Sequence, residues 1–199
     1  MAGTFPISSA NFDTLGIKSI QKTLISESAS GKKLVRQIDG QKFGFTANII
    51  IAKRSDVYGE LMAFIMKQRS SKENFTIIPP EIEDARGTAS GTPNGTASAG
   101  ATSITLGGSG SGTLKAGDFI KFTNHTKVYM VVEDQSDIST GTLTIEPPLR
   151  TAVSSTDITY DNVPFTVYLI NDLQEFGASG SDKDGNVLYK FQLDVQEAL

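Results

Sequence analysis

Few residues in this chain have the type and spacing that chemistry needs. Asp182-Lys183-Asp184-Gly185-Asn186 brushes against a calcium loop, in which side-chain oxygens at alternate positions surround the ion. The pattern fails, because the glycine comes too early and the place of the bidentate glutamate holds Leu193. A hairpin turn at Asp184-Gly185 accounts for the same residues better, since Asp-Gly suits turn positions of positive φ. Gly107 to Gly112 is glycine-rich, but no Gly-Lys-Ser/Thr follows to complete a phosphate cradle. Glu133, Asp134 and Asp137 fall where a hairpin loop is expected and read as solvated turn residues; a paired-carboxylate site needs a second wall. His125 is the only histidine and sits in Thr123-Asn124-His125-Thr126, a turn between two strands. Neither a catalytic triad nor a two-histidine metal site is expected to be built from it within one chain. The expectation is no catalytic residue, no metal, no cofactor and no enzymatic activity.

Composition narrows the class. With 199 residues and 38% hydrophobic content, the chain can bury a core or two. Its net charge of −4 does not suit a nucleic-acid binder held by phosphate contacts. There is no cysteine, hence no disulfide and no thiolate chemistry. Apolar runs are far below the ~20 residues of a membrane helix, so no membrane anchor is expected. Met1 to Asp13 has no basic region followed by an apolar one, so a signal peptide is not expected either. A soluble, non-secreted, β-rich protein is the expectation.

The elements organise around Ser55 to Pro80, which holds the one convincing helix. Val57, Leu61, Phe64 and Ile65 share a helical face, widened by Tyr58 and Met62. Ser55 or Asp56 is the expected N-cap, and Lys67 and Arg69 close the last turn. A strand over residues 74–78 ends at Pro79-Pro80, neither of which can donate to a ladder. Before the helix, KKLVRQI-DG-QKFGFTANIII reads as a hairpin turning at Asp39-Gly40. In that register Leu34, Phe43, Phe45, Ala47, Ile49 and Ile51 share an apolar side for the helix to cover, with Phe45 in the helix–sheet core. Lys33, Val35, Gln37, Lys42, Gly44, Thr46 and Asn48 form the other, mostly polar side. Met1 to Gly16 reads as an extended arm, and residues 17–26 as a strand.

Composition shifts at Ala85. Residues 87–99 read as a flexible Gly/Ser/Thr linker, followed by short strands at 103–106, 118–122, 127–133, 142–145 and 157–160, enough for a small barrel or sandwich. Longer strands return at Phe165–Leu169 and around Tyr189, Phe191, Leu193 and Val195, separated by a turn-rich connection at 171–184. The expected organisation is a discontinuous host domain of residues 1–85 and 159–199, with 86–158 inserted as a small β-barrel. The fold class is mainly β with a minor α component.

These stretches carry a resemblance. The order hairpin, amphipathic helix, strand and prolines resembles the tube-type domain of tailed-phage tail proteins. YGELMAFIMKQRSSKENFTIIPP is similar to the helix–strand stretch of distal tail and baseplate hub proteins, through Glu60, Ala63-Phe64, the strand at 74–78 and Pro79-Pro80. Arg69-Ser70-Ser71-Lys72-Glu73-Asn74 stands where the family usually has a glycine-basic-glycine turn. Gly117-Asp118, Lys127-Val128-Tyr129 and Glu146-Pro147-Pro148-Leu149 resemble the small β module inserted in several such proteins. The resemblance implies a tail-tube-like antiparallel β-barrel or sandwich with one packed helix. It implies a structural virion protein assembled in the host cytoplasm, a homo-oligomeric ring, usually a hexamer, that extends the tail tube and joins it to hub or fibre proteins. Lys42, Gly44, Thr46 and Asn48 would face a lumen through which genomic DNA passes, with nearby carboxylates such as Asp194 offsetting Lys33 and Lys42. The alternative is a receptor- or carbohydrate-binding tail module; against it, the insert has only Tyr129 and Tyr160 as tyrosines and the chain has no tryptophan.

Overall fold

The computed structural model describes residues 3–6 and 11–199, apart from the side chains of Gln37 and Asp39. The expectation of an arm over Met1 to Gly16 therefore lies partly outside the described residues. The elements run β1 (Phe12–Glu27), β2 (Lys33–Lys53), α1 (Gly59–Gln68), β3 (Phe75–Ile77), β4 (Pro93–Ala97), β5 (Ser103–Gly108), β6 (Phe119–Phe122), β7 (Val128–Val131), β8 (Thr142–Glu146), β9 (Val153–Thr159), β10 (Phe165–Leu169), β11 (Phe176–Ser181) and β12 (Val187–Glu197). The protein is mainly β, with a closed six-stranded barrel and a second sheet. It divides into two compact units, one of residues 3–6, Asn74–Val167 and Ala198–Leu199, the other of residues 11–73 and Tyr168–Glu197.

The second of these, the hairpin unit, is built on β2. This strand pairs antiparallel with β1 on one side and β12 on the other, and β11 pairs with β12. Alternation decides its faces: Phe43, Phe45, Ala47 and Ile49 are buried, whereas Leu34 and Ile51 are exposed. The expected hairpin at Asp39-Gly40 is not there. β2 runs straight through these residues, and the chain reverses at residues 28–32, where Ser28 N–H donates to Lys32 O and Gly31 N–H to Ser28 O. Between the pairs Ile20↔Lys42 and Lys22↔Ile38 the ladder shifts, so Asp39-Gly40 lies in a β-bulge. Gly40 has φ 110°, and a bulge needs that left-handed freedom as much as a tight turn does. In the 28–32 turn Ser28 Oγ also accepts Lys32 N–H at 3.1 Å.

The helix begins differently from expectation. A π-helical turn, Arg54–Tyr58, leads into α1, and neither start has a side-chain cap; Ser55 Oγ donates to Asp56 Oδ1 instead. Tyr58 anchors the entry. Its ring is buried against Phe176 and Tyr189, and its hydroxyl donates to Ile50 O at 2.9 Å. Leu61 and Ile65 are buried, and Val57 and Phe64 are half-buried. Arg69 and Ser70 then take positive φ, 54° and 62°. Ser70 and Ser71 hydroxyls both donate to Asp172 Oδ1, which holds this strained corner from outside.

In the barrel unit the strand order β4-β5-β8-β7-β6-β9 closes on itself. Closure leaves no free edge. Ile104, Ile120, Phe122, Tyr129, Leu143 and Ile145 are among the side chains that fill it. The expected linker at 87–99 is corrected here, because β4 is a full barrel strand. Its composition follows from packing: a Cβ on Gly95 would meet Ile104 Cγ2 at 2.7 Å and Phe122 Cε1 at 2.9 Å. Outside the barrel, β3 pairs with β10, and Phe5 stacks on Phe75 with its N–H donating to Thr76 O. Phe5 is buried, so this part of the expected arm is a core element.

Candidate functional site

The polar face of the hairpin unit is assembled from three strands. Ile20, Lys18, Gly16 and Thr14 on β1 stand opposite Lys42, Gly44, Thr46 and Asn48 on β2, and Gln196, Asp194 and Gln192 continue the last three rows on β12. Thr46 lies at the centre. Its hydroxyl donates to Asp194 Oδ1 at 2.6 Å and accepts Lys18 Nζ at 2.5 Å, and Lys18 Nζ stands 3.9 Å from the same carboxylate oxygen. Asn48 Nδ2 donates to Thr14 Oγ1 at 2.8 Å. Lys42 Nζ lies 5.6 Å from the centre of the Tyr168 ring, a cation–π arrangement. Asp194 therefore offsets Lys18, not Lys33 or Lys42 as expected. A Cβ on Gly44 would meet Val195 O at 3.3 Å, so the row is closely packed there. Thr14 lies outside the strand expected over residues 17–26, and Lys18, though inside it, joins this row only through the β1 register.

The sequence candidates for chemistry are separate turns. Asp182 pairs with Lys53 Nζ at 2.5 Å and accepts Asn186 N–H and Asp184 N–H, both at 2.9 Å; the Lys53 pairing above all holds its carboxyl well below the usual range. This is the hairpin between β11 and β12, with Asp184-Gly185 in its turn. β11 itself lies in the connection read as turn-rich. Glu133 accepts Thr144 Oγ1, Asp134 pairs with Lys115, and Asp137 accepts both Ser139 N–H and its hydroxyl. Asp134 and Asp137 are lowered by those hydrogen bonds, from Lys115 and Ser139 respectively. Among the described residues no group of three His, Cys, Asp or Glu is placed to hold a metal, and no helix is long and apolar enough to cross a membrane.

The barrel has its own polar fasteners. Asp118 is buried at the mouth of β6; its Oδ1 accepts Arg86 N–H and Nε–H, and its Oδ2 accepts Lys115 N–H at 2.7 Å. At another turn, His125 Nε2 lies 2.8 Å from Tyr129 Oη, which accepts Arg150 N–H at 2.9 Å, and Nδ1 lies 2.6 Å from Asn124 Oδ1. Neutral His125 with its proton on Nδ1 satisfies every partner: it donates to Asn124 and accepts the tyrosine proton. Burial, and then Lys121, Arg150 and Lys127, push its pKa below the ordinary value. The unfolded state then binds the proton more readily, so stability is full above pH ~6.5 and declines as pH falls through that value. We expect exchange protection of the barrel to drop between pH 7 and 5, and His125→Gln to flatten that slope. Protection that stays level or rises on acidification would contradict the neutral network.

At the base of the barrel the chain enters and leaves side by side. Ala85 N–H donates to Tyr160 O, Asn162 N–H to Asp84 Oδ1 and Val163 N–H to Glu83 O. Burial raises the Glu83 and Asp161 carboxyls, with Asp84 adding to both. The barrel unit is thus a closed six-stranded barrel whose two chain ends are hydrogen-bonded to each other. Residues 83–162 match the family "Distal tail protein pb9, B domain". The matched segment covers all six barrel strands. The match supports a tailed-phage distal tail protein, a structural component of the virion tail. No match among curated proteins is found.

Proposed function

We propose that this protein forms a ring at the distal end of the tail, extending the tube and connecting it to hub or fibre proteins, with DNA passing through its lumen. The observation that carries this is the edge of β1. Its 16 residues are mostly exposed, and the strand ends the sheet order of its unit. At ~3.3 Å per residue, that is an edge of about 53 Å. Long open edges invite pairing with another chain, and a closed ring of identical copies removes them. The polar face then lines the channel. Lys42, Gly44, Thr46 and Asn48 present small or polar groups there, Asp194 offsets Lys18, and Lys42 lies over the Tyr168 ring, so a phosphate backbone meets no strongly basic wall. A hexamer suits the resemblance to tube-type domains.

The receptor- or carbohydrate-binding reading finds less support. The barrel's Phe119, Phe122, Tyr129 and Tyr160 are all buried, so these rings are not free to stack on sugars. We read residues 86–158 as an inserted domain within a host of 1–85 and 159–199, supported by the hydrogen-bonded entry and exit segments at the barrel base. Each domain should then unfold as its own unit, and a variant weakening one core should leave the other in place. Negative-stain microscopy of the purified protein tests the ring: particles with a central hole are expected, and a monodisperse monomer at high concentration would remove the reading.

A further inference from the structure

Among the described residues, the outer part of the β1–β2 ribbon has no third strand. β12 pairs with β2 only from Gly44 to Lys53, so the ribbon from Ile20 and Gln41 out to the 28–32 turn is two-stranded. Two-stranded hairpins are marginal alone in water, yet this one carries large apolar side chains on its surface. Ile25 is 61% exposed, Leu24 58%, and Leu34 and Ile38 are exposed too. It is also the basic part of an acidic chain: residues 20–41 contain Lys22, Lys32, Lys33 and Arg36 against Glu27 and Asp39. Lys22, Leu24 and Ser26 stand opposite Ile38, Arg36 and Leu34, which puts basic and apolar groups on one face of the arm.

The other end of the same unit has the complementary character. A groove of ≈ 680 Å³ opens beside the start of β1, with Leu173 and Glu175 on one wall, Asp13 and Ile51 on another, and Lys190 and Asp194 on β12. Leu173 is 81% exposed and Ile51 55%. Acidic groups outnumber basic ones, and the exposed apolar residues sit among them. Asn48, the last residue of the polar row, also borders it, while Lys42 and Gly44 lie clear of it.

We propose that the ribbon arm of one copy docks in this groove of a second copy of this chain. Charge favours it, since Lys22 and Arg36 meet Asp13 and Glu175, and Leu24 and Leu34 meet Leu173 and Ile51. Distance makes it intermolecular. Along β1, Asp13 and Leu24 are separated by about 36 Å of extended chain, so the arm cannot fold back onto its own groove. Arm and groove are different surfaces, so the contact is heterologous and repeats head to tail, closing into a ring where the rotation allows and stacking where it does not. This rests on the ring reading, and names the surfaces that join its copies.

The full chain, which has no cysteine, gives a direct test. Leu34→Cys with Leu173→Cys, oxidised after assembly, should give a ladder of disulfide-linked oligomers, whereas either single variant should give none beyond dimers. In parallel, Lys22→Glu/Arg36→Glu or Asp13→Lys/Glu175→Lys should weaken association by about tenfold or more in mass photometry, and combining the two sets should restore it. Circular dichroism establishes that each variant is folded. Assembly that proceeds with no ladder and no response to charge reversal would overturn the docking while leaving the ring intact. No assembly of the unaltered chain would remove both. Arm reversal that abolishes binding to a DNA duplex but leaves self-association unchanged would mark the arm as a nucleic-acid contact and overturn the docking.

Discussion

Phe45→Ala is expected to destabilise the hairpin unit by about 3–5 kcal/mol, the range for emptying a fully buried phenylalanine site. Phe45 is 1% exposed, at the middle of β2 between Ile17 on β1 and Val195 on β12. The residues two before and two after it, Phe43 and Ala47, are buried as well, so no neighbour can swing out to let solvent fill the gap. Peptide-resolved hydrogen exchange reads the loss unit by unit. Protection should fall across β1, β2 and β12 and stay unchanged across β5 to β9. A loss under about 1 kcal/mol would mean that the alternation on β2 does not set the buried face.

Asp118→Ala should cost the barrel about 2–4 kcal/mol. Its side chain is wholly buried, and it serves as acceptor for the backbone N–H groups of Arg86 and Lys115 together with the Arg86 side chain. Removing the carboxylate leaves those backbone donors unpaired. The Arg86 side chain is 63% exposed, so its charge returns to water, and the loss comes from the orphaned N–H groups. Asp118→Asn keeps one acceptor oxygen and should lose less. Protection should fall in the barrel and persist in β1 and β2. Equal losses in both units, or no loss in either, would contradict the separate cores and the role given to Asp118.

The strands with apolar alternation could be read from sequence. Phe43 to Ile49 and Phe191 to Val195 carry a period-two pattern that burial enforces, and five barrel strands showed the same signal. β4 and β11 carried none. Pro93-Asn94-Gly95-Thr96-Ala97 is small because Ile104 and Phe122 crowd Gly95, a tertiary cause that no local pattern records. Asp39-Gly40 misled for a related reason. A bulge and a tight turn both place glycine at positive φ, and only the partner strand, β1, tells them apart. The helix stripe was legible, but its start was not: a π-helical turn without a side-chain cap leads into it, and Tyr58, anchored to the Ile50 carbonyl, fixes the entry through burial. The polar row on β2 could be read by parity from Phe45. Its partners Lys18 and Thr14 could not, because they depend on the β1 register.

The central claim is that the polar face lines a channel closed by copies of this chain. A cryo-electron microscopy reconstruction of the assembled tail tip tests it most directly. The account predicts a closed ring in which the outer edge of β1 meets the neighbouring copy and Thr46 faces the lumen with Lys18 and Asp194. A reconstruction in which the β1 edge stands free, or in which Thr46 is buried against a different tail protein, would contradict it.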